Sequence, residues 1–184
     1  MPSDSSNANS DAVSSLASAE IMRLARELFE VLSKKNQTVS FAESCTGGLL
    51  SAALTELAGV SDVYLGSVVS YAYPAKIDLL GVDSETLVTQ GAVSSDVACQ
   101  MAQGALNQFK SDWSVSITGI AGPGGATPNK PVGTVCFAVC SFAGEDKPPF
   151  VLSDTQYFQG DRVAVREASV RHALTLLLSS ICKA

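Results

Sequence analysis

The sequence is poor in the residues on which several common kinds of site depend. Its 184 residues include a single histidine, only 16% charged residues and no run of basic side chains, and the net charge is −6. Proteins that bind the nucleic acid backbone need clustered Lys and Arg, so no nucleic acid partner is expected. The one long apolar stretch, 49–73, is interrupted by Glu56 and Asp62, whereas a bilayer span needs about 20 apolar residues. No membrane partner is expected either.

Cysteine is present in an odd number and at irregular spacing, and no apolar signal segment comes before it. The positions are Cys45, Cys99, Cys136, Cys140 and Cys182. This pattern argues against a secreted disulfide framework and favours reduced thiols in the cytoplasm. Cys136 and Cys140 lie on one face of a predicted strand but about 13 Å apart, which is too far for one ion, so no metal site is predicted.

The first 18 residues differ in composition from the rest of the chain. They contain seven serines and two aspartates but no Lys or Arg. A secretory signal needs a basic start and an apolar run, and a mitochondrial presequence needs arginines. We interpret 1–18 as a disordered tail or as a remnant of cloning or processing. Residues 19–184, in a chain that is 46% hydrophobic, are expected to form one domain around one core.

Helical and strand-like periodicities alternate along this domain. They predict helices at 18–35, 49–57 and 95–110, a short helix from Pro74, and a final helix after Asp161, with strands at 38–42, 63–71, 114–118, 134–142 and 150–158. The pair 114–118 and 134–142 flanks a long loop, as in a hairpin. The fold class predicted is α/β: a single layered domain in which helices cover a mixed β-sheet.

A glycine-rich loop leaves the strand at 114–118. It holds Gly119, Gly122 and Gly124, where the absence of a side chain allows backbone amides to approach a ligand closely. The loop matches neither a Walker A motif nor a dinucleotide-binding fingerprint. A binding loop and a plain turn are both compatible with this composition.

The turn at 43–48 stands between a predicted strand and a predicted helix. A serine or threonine there lies near amide donors that stabilise an oxyanion or a phosphate, so Ser44 and Thr46 are candidate nucleophiles and Thr46 and Gly47 candidate substrate contacts. Simple capping of the helix by Ser44 or Thr46 is the alternative. Cys45 is a competing nucleophile or a buried structural thiol.

A serine nucleophile needs a base, and the histidine is poorly placed for it. At 100° per residue, His172 falls about 200° from Val170 on the last helix and is expected to face solvent, which excludes a Ser-His-Asp triad. A desolvated lysine can replace histidine. Lys76, near the exit of the second strand, is the candidate, and a solvated lysine on a short helix is the alternative.

Two arginines open the last helix. By the same helical geometry, Arg166 lies about 40° from Val170 and is expected to point partly inward, and Arg162 precedes it by one turn. An inward arginine is a candidate anion ligand. The alternative is a structural ion pair of Arg166 with Glu167 or Asp161.

Six motifs stand in order along the chain and carry a family resemblance. They are 42–48 (AESCTGG), 71–82, 91–94 (GAVS), 119–125 (GIAGPGG), 130–135 (KPVGTV) and 160–162 (GDR). From about residue 19 to the C-terminus the chain resembles the CinA C-terminal domain family, the nicotinamide-nucleotide amidohydrolases. The resemblance implies hydrolysis of nicotinamide mononucleotide to nicotinate mononucleotide and ammonia, in pyridine nucleotide salvage and NAD biosynthesis, without a metal or other cofactor.

The resemblance also implies roles for single residues. Ser44 matches the family's nucleophilic serine, and Lys76 and Tyr71 match the ends of its Tyr-Ser-Asn-x-x-Lys motif, which suggests a Ser-Lys mechanism with Tyr71 as the other candidate base. The expected substrate contacts are Cys45, Thr46, Gly47, Gly119, Gly122, Gly124, Arg162 and Arg166. A homo-oligomer is also expected. The alternative function is a catalytically inactive domain of the same fold that senses a nucleotide or binds a partner, although the presence of Ser44 and Lys76 argues against it.

Overall fold

A mixed five-stranded sheet forms the centre of the computed structural model. The model describes residues 8–142 and 150–184, with side chains from Ala19 onward in the first helix. The elements are α1 (Ala8–Lys35), β1 (Val39–Glu43), α2 (Leu49–Thr55), β2 (Tyr64–Val69), α3 (Tyr73–Leu80), α4 (Ser84–Gln90), α5 (Ser95–Phe109), β3 (Trp113–Gly119), β4 (Thr134–Ser141), β5 (Phe150–Tyr157) and α6 (Arg162–Lys183). The predicted fold class, a single α/β domain with a mixed sheet, is confirmed.

The strand order places β1 between two parallel partners. The sheet runs β2-β1-β3-β4-β5, in which β1 is parallel to β2 and β3, and the pairs β3–β4 and β4–β5 are antiparallel. The carboxyl ends of β1, β2 and β3, at Glu43, Val69 and Gly119, therefore meet at one edge of the sheet. Segments that leave these three ends are brought close together.

Helices cover both faces of the sheet. The face with α1, α2 and α6 is strongly apolar, and on β4 it receives Val135, Phe137 and Val139. The other face carries α3, α4 and α5 and receives the smaller Cys136, Ala138 and Cys140 of the same strand. Because side chains alternate along a strand, each strand of the centre contributes to two separate cores.

The hydroxyl groups of β3 join the sheet to its smaller-residue face. Ser114, Ser116 and Thr118 are buried and donate hydrogen bonds to the backbone oxygens of Ala102, Ala98 and Ala92, at 2.7, 2.6 and 2.7 Å. The alternation in the sequence marks a strand, but its polar side faces a helix and not solvent. Every one of these hydroxyls is satisfied, as buried polar groups usually are.

Two helices differ from the prediction. Helix α1 begins at Ala8 and not near residue 18, because no glycine or proline stops the helix between 8 and 35. Its part at 8–18 falls in the segment predicted to be a disordered tail. Residues 1–7, the rest of that predicted tail, lie outside the described residues. Helix α4 was not predicted, since it has only about two turns and Leu87 is its only buried side chain. In the described ranges, no helix is long and apolar enough to cross a membrane.

Candidate active site

The turn after β1 places Ser44 at the carboxyl edge of the sheet. The backbone N–H of Ser44 donates to the oxygen of Ile117 in β3 at 3.0 Å, and the N–H of Gly47 returns to the oxygen of Ser44 at 3.1 Å. Gly47 and Gly48 have φ angles of 61° and 94°, which residues with a side chain rarely adopt. The chain then leaves toward α2 on one face, while β2 leads to α3 on the other. Such a point in an α/β sheet forms a crevice.

Lys76 lies beside Ser44. It is on α3, its side chain is fully buried, and its Nζ donates to Ser44 Oγ at 3.0 Å and to the backbone oxygen of Ser70. The alternative of a solvated lysine on a short helix is wrong, because α3 packs against α5 and carries the lysine inward. The two side chains that the sequence singled out are therefore in direct contact.

Burial shifts the pKa values of Lys76 and Cys45, the two titratable groups next to Ser44, in opposite directions. Desolvation of the ammonium lowers the pKa of Lys76 from 10.5 to about 8. Desolvation of the thiolate raises the pKa of Cys45 from 9.0 to about 11. At neutral pH, about a tenth of the lysine is therefore the neutral amine, whereas the thiol stays protonated. The competing hypothesis of Cys45 as nucleophile is weakened, since the thiolate is the reactive form.

The helix that follows the turn is capped by a residue that sequence reasoning missed. Position 48 is the N-cap and, being glycine, has no capping side chain; the Glu43 carboxylate accepts hydrogen bonds from the N–H groups of Gly48, Leu50 and Ser51 instead. The expectation that Ser44 or Thr46 caps this helix is wrong. An acid at the end of a buried strand, five residues before the N-cap of a helix, was the available signal.

Two backbone donors of the turn remain open. Within 8–142 and 150–184, no other residue accepts a hydrogen bond from the N–H of Cys45 or of Thr46, whereas the N–H of Gly47 donates to the oxygen of Ser44. The Thr46 hydroxyl is buried and also has no partner in these ranges. Open amides that follow a nucleophile are suited to bind an oxyanion.

Both arginines of α6 reach this edge. Arg162 donates to the backbone oxygen of Gly122 at 2.9 Å and to the Tyr71 hydroxyl at 3.0 Å, and Arg166 donates to the oxygen of Thr46 at 2.7 Å. In the part of the chain that the structure describes, neither forms an ion pair with a carboxylate, so the alternative of a pair with Glu167 or Asp161 is not found. Two uncompensated positive charges at the mouth of a crevice favour an anionic ligand.

Tyr71 lies at the surface of the site. Its side chain is 64% exposed, and its hydroxyl accepts from Arg162 and makes no hydrogen bond to Ser44. The geometry therefore joins Tyr71 to the arginines. Lys76 alone, of the two candidate bases, contacts the serine.

The three glycines of the loop after β3 differ in how much space a side chain would have at their positions. A Cβ at Gly119 would lie 2.9 Å from the oxygen of Thr134, and one at Gly122, whose φ is +85°, would lie 2.6 Å from Val132. Gly124 has open space around the corresponding position. Close packing explains the first two glycines, and only Gly122 of the three has a hydrogen bond to another site residue, through its carbonyl.

His172 does not face solvent as predicted. It is half-buried, its Nε2 lies 2.7 Å from Asp154 of β5, and its ring packs against Phe137 at 4.7 Å between centroids. The prediction was wrong because α6 is covered on a second side by the edge of the sheet, so two faces of the helix are buried. His172 thus joins α6 to β5, apart from Ser44.

A further cavity lies apart from the Ser44 turn. It measures about 510 Å³ and is lined by Trp113 at the start of β3, by Phe142 and by Lys183 near the end of α6. These residues are at the opposite edge of the sheet and include no contact between a nucleophile and a base. The chemistry of the Ser44 turn identifies the candidate site better than cavity size does.

The chain is similar to proteins of one family over most of its length. The model of the CinA C-terminal domain matches residues 21–181. The nicotinamide-nucleotide amidohydrolase PncC of Escherichia coli K12 is 41% identical over 162 residues, which are 88% of this chain and 95% of that protein. A CinA-like protein of Fervidobacterium nodosum is 49% identical over 156 residues, 85% of this chain but 37% of the relative.

Solved structures agree with the sequence comparison. The crystal structure of the competence/damage inducible protein CihA from Agrobacterium tumefaciens superposes with a TM-score of 0.80 at 43% identity and covers 87% of this chain and 94% of that one. The chain spans about a third of the length of the CinA-like relatives. Its full length is close to that of the E. coli amidohydrolase.

Proposed function

Because the chain belongs to the CinA C-terminal domain family, we propose that it hydrolyses the carboxamide of nicotinamide mononucleotide to nicotinate mononucleotide and ammonia. Support comes from the named activity of the E. coli relative, which matches this chain over nearly its whole length. The reaction belongs to pyridine nucleotide salvage. Neither a metal nor an organic cofactor takes part in the proposed reaction.

The contact of Lys76 Nζ with Ser44 Oγ, at 3.0 Å in a buried crevice, carries this proposal. The neutral amine of Lys76 accepts the hydroxyl proton while Ser44 Oγ attacks the carboxamide carbon. The carbonyl oxygen becomes an oxyanion, and the open N–H groups of Cys45 and Thr46 stabilise it. The lowered pKa of Lys76 makes this proton transfer feasible near neutral pH.

Lys76 then returns the proton. The ammonium gives it to the amide nitrogen, the C–N bond breaks, ammonia leaves, and the nicotinoyl group stays on Ser44 as an ester. Water attacks this ester while Lys76 takes its proton; the ester C–O bond breaks, the proton passes to Ser44 Oγ, and nicotinate mononucleotide is released. Throughout the cycle the backbone oxygen of Ser70 accepts from Lys76 Nζ, which keeps the amine directed at the serine.

The phosphate of the substrate is assigned to the arginines. Arg162 and Arg166 have only neutral partners within the described ranges, so a phosphate gains charge-assisted hydrogen bonds without displacing a carboxylate. The loop with Gly119 and Gly122 borders Arg162 and is assigned to the ribose phosphate. This local positive charge lets a protein of net charge −6 bind an anion.

Release of ammonia tests the proposal. The purified protein is incubated with nicotinamide mononucleotide, and ammonia and nicotinate mononucleotide are both quantified, with Ser44→Ala as the matched control. Nicotinamide riboside, which lacks the phosphate, should be a much poorer substrate. Equal, non-zero ammonia release from the native protein and Ser44→Ala would contradict the role of Ser44 and move the nucleophile to Cys45 or Thr46. No ammonia from the native protein would contradict the activity and favour a binding domain.

A further inference from the structure

The Glu43 carboxylate is a buried charge with an unusual set of partners. The side chain is fully buried, and in the described ranges it forms no ion pair. Its Oε2 accepts from the N–H of Gly48 and Leu50 at 3.0 and 3.2 Å, and its Oε1 accepts from the N–H and the hydroxyl of Ser51 at 2.9 and 2.6 Å. Four donors replace the water that this charge has lost, as a buried carboxylate requires.

This carboxylate joins three consecutive parts of the chain. Glu43 is the last residue of β1, and the turn that carries Ser44 follows it. Its carboxylate accepts hydrogen bonds from the first residues of α2, on the far side of that turn. Gly48 cannot supply a capping side chain, and its φ of 94° disfavours any other residue there. The cap therefore comes from the strand side, and the turn is fixed between its two ends.

The same contacts decide which amides stay open. The donors at the start of α2 that lack a partner within the helix are used by Glu43, so they cannot serve an oxyanion. Only the N–H groups of Cys45 and Thr46 remain free in the turn within the described ranges. The carbonyl group of Thr46 is fixed as well, because Arg166 donates a hydrogen bond to its oxygen.

We propose that Glu43 is a positioning residue of the site: its carboxylate holds the turn so that the N–H groups of Cys45 and Thr46 point at the oxyanion formed by attack of Ser44. This inference rests on the proposed function. Glu43 touches no substrate atom in this scheme. Its loss displaces two donors, and a displacement of about 1 Å in a catalytic group costs about 100-fold in rate.

The first test is Glu43→Gln with nicotinamide mononucleotide as substrate. The amide has the same shape but can accept through only one of its two polar atoms, so one pair of donors is lost. We expect kcat to fall about 100-fold while KM changes less than about threefold, because the interaction acts on the oxyanion and not on the bound amide. A kcat within about threefold of the native value in a folded variant would overturn the inference.

A matched control is available in α4. Asp83 is also a carboxylate cap, which accepts from the N–H of Thr86 at 2.8 Å, but it is exposed and belongs to a helix that carries no site residue. Asp83→Asn should leave kcat unchanged. A loss of kcat in this variant equal to that in Glu43→Gln would show a general effect of capping and overturn the inference.

Ser51→Ala covers the case in which Glu43→Gln does not fold. It removes one of the four donors and leaves the carboxylate and its three backbone contacts in place. We expect kcat to fall about fivefold at unchanged KM, since one hydrogen bond to a charged group is lost. An unchanged kcat would overturn the inference.

A serine-reactive probe separates this inference from the choice of substrate. Diisopropyl fluorophosphate labels an activated serine: the Ser44 oxygen bonds to phosphorus, fluoride leaves, and Lys76 takes the proton. The phosphoryl oxygen then occupies the oxyanion position. Labelling that is about 100-fold slower in Glu43→Gln supports the inference even if nicotinamide mononucleotide proves not to be hydrolysed. Equal labelling rates, or no labelling of the native protein, would overturn it.

Discussion

The buried hydroxyls of β3 and those of the turn after β1 differ in their hydrogen-bond partners. Along β3, Ser114, Ser116 and Thr118 each donate to a backbone oxygen on the α5 side of the sheet. At the carboxyl edge, the Ser44 hydroxyl is shared with Lys76, and the Thr46 hydroxyl has no partner within the described ranges. The first group joins layers of the fold. The second lies where the proposed substrate would bind: one hydroxyl contacts an amine, and the other has no partner in the described ranges. This is the difference expected between structural and functional polar groups.

The largest expected effect compares one serine from each group. Ser44→Ala should lower kcat at least about 10⁴-fold with a change in unfolding free energy below about 1 kcal/mol, because it removes the nucleophile and little packing. Ser116→Ala should keep kcat and lower the unfolding free energy by about 1 kcal/mol, because one buried hydrogen bond to the oxygen of Ala98 in α5 is lost. Steady-state kinetics and urea unfolding of both variants measure this. A similar loss of activity in both would break the comparison.

The next largest effect concerns Lys76, the amine that contacts the Ser44 hydroxyl. Lys76→Arg keeps a positive charge but cannot release its proton, so kcat should fall about 10³-fold, as in Lys76→Ala. Kinetics of the two variants side by side decide the role. If arginine restores most of the rate, Lys76 is an electrostatic ligand of the substrate and not the base.

Some residues of the candidate site could be predicted from the sequence, and one could not. Ser44, Lys76 and the two arginines were selected from their positions at strand and helix ends, and the structure brings them to one edge, because the ends of parallel strands must meet there. Glu43 was missed because its role depends on reaching five to eight residues ahead to α2, which no local pattern shows.

Outside the candidate site, the sequence also predicted some features of the fold correctly and others wrongly. Periodicity predicted the long helices and the strands. The environment of His172 was predicted wrongly, since the second contact face of α6 depends on tertiary packing. The start of α1 was predicted too late, because no glycine or proline stops the helix between 8 and 35.

A smaller effect is expected at the mouth of the site. Arg162→Ala should raise KM about tenfold and change kcat little, because it removes contacts to the phosphate that exist before and during the reaction. Tyr71→Phe is the matched variant, since it removes only the hydroxyl that accepts from Arg162. Its kcat should stay within about threefold of the native value. A collapse of kcat in Tyr71→Phe would make the tyrosine the base.

No effect at all is expected from a chelator. The proposed nucleophile is activated by Lys76, and the described residues contain no group of three or more metal-ligating side chains. Incubation with EDTA followed by desalting should leave kcat unchanged. A loss of activity that a divalent ion restores would contradict the serine-lysine scheme.

The central claim is that the hydroxyl of Ser44 is activated by the neutral form of the buried Lys76, and the pH dependence of kcat/KM tests it most directly. Burial lowers the pKa of this lysine to about 8, and its neutral form, which predominates above that pH, is the base. The account predicts that kcat/KM rises about tenfold per pH unit below this value and levels off above it. A profile that is flat from about pH 6.5 to 9.5, or that falls across this range, would contradict it.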